Sequence, residues 1–203
     1  YLDELCDDSR MSYPMLQRFT TQSDENRLEV ITIPLDPAIS HALGEDEYRR
    51  ALRLLYRFYD VVCLDLGTGL LEPSTAYMLR ICDQAIIASP AALDGGKLAD
   101  YTLDYIEARR GAEWLQRRAV VVINGVRRDS LLEVSAMERH FRKRVRVCQR
   151  IRWDRHLEAG GVFDWNEVSS GTRDDYLELA ATLGASFAMG PSSDSLREEE
   201  EFC

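Results

Sequence analysis

Three short apolar runs constrain this chain more than any other feature. VVCLDL (61–66), QAIIAS (84–89) and RAVVVINGV (118–126) lack the regular polar alternate of a strand with one wet face. Strands that are apolar on both sides must be covered on both sides. Amphipathic stretches lie between them. EDEYRRALRLLYRFY (45–59) places Tyr48, Ala51, Leu52, Leu55 and Phe58 at helical spacing. PSTAYMLRIC (73–82) reads as a helix with proline in its first turn. LDGGKLADYTLDYIEAR (93–109) reads as a loop running into a helix. Strand–helix alternation with doubly buried strands predicts an α/β fold: a mostly parallel sheet, helices on both faces, right-handed crossovers. LEVITI (28–33) is a further strand candidate and RVRVCQRI (144–151) a weaker one. A helix is expected over 130–143, and another over 172–188 with Thr172 as its N-cap.

The 203 residues suffice for one such domain, expected over 28–188. Residues 1–27 read as a polar segment of the same domain. Residues 189–203, with Glu198 to Glu201 in a row, read as a disordered acidic tail. A formal net charge of −10 argues against a general affinity for nucleic acid or anionic membrane. No run is long enough for a transmembrane helix, and the opening YLDELCDDSR lacks the apolar core of a signal peptide. Cys6, Cys63, Cys82, Cys148 and Cys203 are scattered without a C-x-x-C pair, which fits neither a disulfide framework nor a zinc site. A cytoplasmic location follows as the expectation, with Cys63 as a small core residue. His41, His140 and His156 lie far apart and are assigned no catalytic role. The stretch 139–155 carries Arg139, Arg142, Arg144, Arg146, Arg150, Arg152, Arg155 and Lys143. Either these contact DNA nonspecifically, or they form a solvated surface paired with the protein's own acids.

Asp65 interrupts its apolar run at the carboxyl end and is followed by Gly67, Thr68 and Gly69. In parallel sheets, ligands bind at the carboxyl ends of strands. A carboxylate there can hold Mg²⁺ directly or through water, and glycines let backbone N–H groups approach a phosphate. The alternative is a turn aspartate with two turn glycines.

These segments resemble the MinD/ParA family of P-loop ATPases. The resemblance rests on DLGTGLL, PAALDGGKLADYTLDYI, VVVINGVR, WDRHLEAGG and TRDDYLELAA in that order, over about residues 28–188. It is nearest to the actinobacterial MinD-like proteins associated with type VII (ESX) secretion. It implies Asp65 as the magnesium residue, Gly67, Thr68 and Gly69 near the γ-phosphate, and Asn124 with Arg152, Trp153 and Asp154 around adenine. ATP and Mg²⁺ are then the cofactors, ATP bridges a homodimer, and the output is positioning or the assembly of secretion machinery. A secretion-machinery or partition protein would be the partner.

The sequence departs from that pattern in three places. It contains no G-x-x-x-x-G-K-[ST] phosphate loop, and DGGKLAD (94–100) has the wrong spacing and position to serve as one. The proline of the family's Ile-Pro-Tyr-Asp loop is Arg152. The acidic stretch 198–201 stands where MinD carries a basic membrane-binding helix. In the family, the loop-bearing strand lies between the Asp65-type strand and the AIIAS strand. Its expected place is therefore upstream of Tyr1, unless 61–66 pairs directly with 84–89. Without that loop the present chain alone is expected to be inactive as an ATPase. Two other readings stand beside the ATPase: a non-hydrolysing scaffold of the same fold, and a DNA-binding partition accessory protein.

Overall fold

The structure is a computed structural model that describes residues 11–22, 28–32, 44–67, 73–130, 133–158 and 160–187. The expectations for His41, Thr68, Gly69, Cys6, Cys203 and the 189–203 tail fall outside these residues. The chain divides into two compact units, Tyr1–Met78 and Leu79–Cys203.

In the first unit, a short helix α1 (Tyr13–Leu16) precedes a two-stranded antiparallel pair, β1 (Thr21–Gln22) and β2 (Glu29–Val30). Among the described residues, the strand expected over 28–33 is thus two residues long and pairs antiparallel with β1, not with the parallel sheet. Glu29 organises this corner. It accepts hydrogen bonds from the hydroxyls of Tyr13 and Tyr59 and from Nε2 of Gln22 at 2.7 Å. Burial pushes its pKa up, but the bonds from Tyr13, Tyr59, Gln22 and Thr20 outweigh that and hold it at about 2. Helix α2 (Glu45–Leu55) starts at Gly44, whose N–H donates to Glu47 Oε2 at 2.9 Å. Its first turn is acidic, which suits the positive end of the helix dipole. Its apolar face buries Tyr48, Ala51, Leu52 and Leu54.

Residues 61–66, expected to be a strand, form no ladder among the described residues. Side chains there are half-buried or exposed, and Cys63 is exposed where a core position was expected. Apolar composition supplies a preference for strand, but a strand exists only through its partner. The direct pairing of 61–66 with 84–89 is likewise not formed among the described residues. Helix α3 (Pro73–Ile81) follows, with proline opening it as expected.

The second unit is built on a parallel sheet of three strands in the order β3 (Ala85–Pro90), β4 (Ala119–Val126), β5 (Val147–Arg152). Helix α4 (Leu93–Arg110) packs on β3, and α5 (Ala112–Arg118) and α6 (Val134–Phe141) follow in sequence. The sequence pattern missed α5, a seven-residue helix that abuts the next strand. Central β4 is buried from Ala119 through Ile123 on both faces. Ala85, Ile87 and Ser89 of β3 are buried under α4, while Ile86 and Ala88 on the opposite face are exposed. The α6 side chains Ser135 and Glu138 take Arg150 of β5. On the opposite face, α8 (Ser170–Phe187) lays Tyr176, Leu179 and Leu183 against Val120, Val122 and Ile151. Helices therefore lie on both faces of this sheet, with the outer face of β3 left exposed at Ile86 and Ala88. The closing helix begins at Ser170. Its cap is Ser169 instead of Thr172: Ser169 Oγ accepts the Thr172 N–H at 3.4 Å and lies 2.8 Å from the Thr172 hydroxyl, which is fully buried.

The glycines of DGGKLAD sit in the first turn of α4. A Cβ on Gly95 would lie 2.5 Å from Pro90 Cγ and 2.7 Å from its carbonyl oxygen. Glycine is what lets this helix start pack against the end of β3. Burial pushes the thiols of Cys82 and Cys148 up to about 11, which leaves both as protonated packing groups.

Candidate functional site

The carboxyl ends of β4 and β5 gather one set of the residues expected to bind nucleotide. Pro90 is registered with Asn124, and the Ala91 N–H donates to the Asn124 carbonyl at 3.1 Å. This fixes the Asn124 backbone and leaves its side chain exposed at the rim. Gly125 has φ +71°, a conformation that glycine adopts readily. The register shifts there, between Ile123 and Val126, before Val126 pairs again with Arg152. The Trp153 N–H then donates to the Val126 carbonyl at 3.0 Å. Asn124 and the 152–154 corner thus belong to adjacent strand ends.

Each residue of that corner is held by the chain itself. The Arg152 N–H donates to Asp175 Oδ2 at 2.9 Å, and its guanidinium lies 3.5 Å from Asp175 Oδ1. A proline at this position would lack the N–H. Arginine in place of the family proline is thereby matched by an acceptor on α8. Trp153 is half-buried, and the Arg127 guanidinium sits over its ring at 4.3 Å while also pairing with Asp129 at 3.2 Å. Asp154 is buried, at 8% exposure. Its Oδ2 accepts the Ser169 N–H at 2.9 Å and its Oδ1 the His156 N–H at 3.0 Å, so it caps the four-residue helix α7 (Arg155–Glu158) and ties that helix to the start of α8. The Ser169 and His156 N–H groups hold its carboxyl below the usual aspartate range. Sequence reasoning did not find Asp175, Arg127 or Ser169. Ser169 had a signal, a Ser-x-x-Thr step opening a helix; Asp175 had none, because its role depends on a neighbouring strand.

Asp65 and Gly67 belong to the first unit. Asp65 is exposed, and its Oδ1 accepts the Gly67 N–H at 3.2 Å across a turn in which Gly67 has φ +60°. That is the geometry of a turn aspartate. One exposed carboxylate is also a donor that Mg²⁺ can take through water when a phosphate supplies further oxygens, so Asp65 fits the ion in that limited way. No group of three or more His, Cys, Asp or Glu side chains suited to a metal occurs among the described residues.

Of the eight basic residues in the arginine-rich segment, five form ion pairs with acids among the described residues. Arg139 pairs with Glu133, Arg142 and Arg150 with Glu138, and Arg152 with Asp175. Arg144 reaches Asp104 and Glu107 at 2.7 Å each. His140 faces Asp100 at 2.8 Å and His156 faces Glu167 at 3.2 Å.

No model of a known protein family matches the chain. The chain is similar to the ESX-1 secretion-associated protein EspI of Mycobacterium tuberculosis, in strains CDC 1551 and H37Rv alike. Identity is 28% over 188 residues, 91% of this chain and 28% of the relative. It spans little more than a quarter of the length of those curated relatives. Among solved structures it resembles a ParA family ATPase from Chlorobium tepidum, with a TM-score of 0.61 and 16% identity over 75% of this chain and 60% of the other. The chain thus shares its α/β fold with that ParA family ATPase. Among the described residues, no helix is long and apolar enough to cross a membrane.

Proposed function

We propose that this chain is the nucleotide-responsive α/β portion of a MinD/ParA-like ATPase that serves a type VII secretion system from the cytoplasm, with residues 28–188 acting as one functional domain. In this reading ATP with Mg²⁺ supplies phosphoryl-transfer chemistry when bound. Asp65 holds the ion through water, and Gly67, Thr68 and Gly69 offer N–H groups and a hydroxyl to the γ-phosphate. Asn124 hydrogen-bonds adenine. Trp153 borders the base, and Arg152 and Asp154 fix the loop that carries it. ATP bridges two copies, and the nucleotide state sets assembly with secretion machinery.

The observation that carries this reading is the likeness of 91% of the chain to a secretion-associated protein, together with a ParA-like fold. The placing of Asn124 beside the 152–154 corner supports it. The test is ATP hydrolysis and ATP-dependent dimerisation by the full-length gene product, with and without Asp65→Ala. Magnesium-dependent turnover that disappears in the variant is the expected result. Unchanged turnover removes Asp65 from its role. An absence of ATP binding in the unaltered protein leaves the scaffold reading in its place.

A further inference from the structure

The outer edge of β5 carries a feature that the ATPase reading does not use. A pocket of about 460 Å³ opens between β5, α6 and α8, lined by five arginines and three acids in a chain whose net charge is −10. Of the described residues assigned to nucleotide, only Arg152 lines it. Three observations define what it would take. Arg142 and Arg150 share the single carboxylate of Glu138, so their positive charge is only half matched there. Arg128 has no ion pair among the described residues. Oε1 of Gln149, on the pocket wall, is buried without a hydrogen-bond partner among them.

The strand edge adds a further condition. Arg142 donates to the Cys148 carbonyl at 2.9 Å, and the Arg152 N–H is taken by Asp175. These two hydrogen bonds place residues 148 and 152 outward. By the strand period Arg150 also turns its N–H and C=O outward, between them. Among the described residues, one residue of edge is therefore open, flanked by side chains that block any longer ladder. Duplex DNA suits such a wall poorly, because Glu138, Asp175 and Glu178 would repel a dense polyanion. An extended peptide with separated carboxylates suits it well. Its carboxylates meet guanidinium groups in forked geometry, its backbone meets Arg150, and its N–H groups can serve Gln149.

We propose that this pocket on the β5 edge binds a short acidic peptide segment of a partner protein, held at Arg128, Arg142, Gln149 and Arg150. The site depends on the fold alone and stands whether or not the chain binds nucleotide. The test is fluorescence anisotropy of the chain with a labelled ten-residue peptide of alternating Glu and Ser, against the same peptide with Gln for Glu. The Glu peptide is expected to bind about tenfold more tightly or better, the worth of one charge-assisted hydrogen bond. Arg128→Glu is expected to weaken it by about tenfold again with an unchanged circular dichroism spectrum and melting temperature, since Arg128 forms no ion pair among the described residues that the change would break. Gln149→Leu should also weaken it. Equal affinity for the two peptides, or binding untouched by Arg128→Glu, overturns the proposal. So does displacement of the peptide by duplex DNA or pyrophosphate at lower concentration than by unlabelled peptide.

Discussion

Two aspartates of this chain, one beside the end of a strand and one in a strand-like stretch, have opposite surroundings. Asp154 is buried, and each of its two oxygens accepts a backbone N–H: Ser169 at 2.9 Å and His156 at 3.0 Å. Asp65 is exposed and takes one N–H, that of Gly67, at 3.2 Å. A carboxylate saturated by its own backbone is a structural clasp. One that holds only a local turn keeps capacity for an ion or a phosphate-bound water. The same residue type is thus saturated in one place and left open in the other, and what decides is the number of N–H groups folded around it.

If the 152–154 corner is a clasp, changes there should cost stability in proportion to the packing and hydrogen bonding they remove. Ile151 is buried at 1% exposure against Val120, Val122 and the apolar side of α8. Ile151→Ala should lower the unfolding free energy by about 2–5 kcal/mol in urea titrations. A loss below about 1 kcal/mol would mean that α8 does not anchor the corner through this cluster. Arg152→Pro removes the N–H that Asp175 accepts and should cost about 1–3 kcal/mol. Arg152→Ala keeps that N–H and should cost less, since the guanidinium pair is half exposed. Equal losses in the two variants would shift the credit from the backbone bond to the side chain.

Asp154→Asn should lower the melting temperature by several degrees at neutral pH, because the Ser169 and His156 N–H groups lose their charged acceptor. The native carboxyl is held below its unfolded value, mainly by the Ser169 and then the His156 N–H. Its contribution is therefore present above the unfolded aspartate pKa and is lost as pH falls through the native one. The gap between wild type and variant should close on acidification below about pH 4. A gap independent of pH would show that shape, and not charge, makes the clasp.

The helices and strands of the second unit are legible in the sequence where each is long and its apolar spacing unambiguous. RAVVVINGV forms central β4, and TRDDYLELAATLGASF forms α8 with its start moved two residues earlier. VVCLDL departs from expectation for a reason that no local pattern reveals: its residues are strand-like, but strand pairing is a property of two segments. β3 shows a related limit. Its sequence is apolar at Ile86 and Ala88, yet these lie exposed, while among the described residues the apolar cluster under α8 is drawn from Val120, Val122 and Ile151 of β4 and β5. At the candidate site, Asn124 and Arg152 to Asp154 can be picked out by resemblance. The acceptor Asp175 cannot, since it lies 23 residues from Arg152 and meets it only once α8 has packed.

The smallest effect is expected at Asp65, and it sharpens the comparison most. Asp65→Asn keeps a carbonyl oxygen that can accept the Gly67 N–H, and the residue is exposed in either form. Its stability should stay within about 0.5 kcal/mol of wild type across the pH range in which Asp154→Asn departs from it. Asparagine has also lost the negative charge that strengthens a carboxylate's hold on a hard divalent cation. On the ATPase reading proposed above, the substitution in the full-length gene product should leave folding intact while suppressing any magnesium-dependent turnover. If unfolding titrations instead place Asp65→Asn more than about 1 kcal/mol below wild type, the turn is itself a clasp. The distinction between the two aspartates, and the metal role drawn from it, would then be withdrawn.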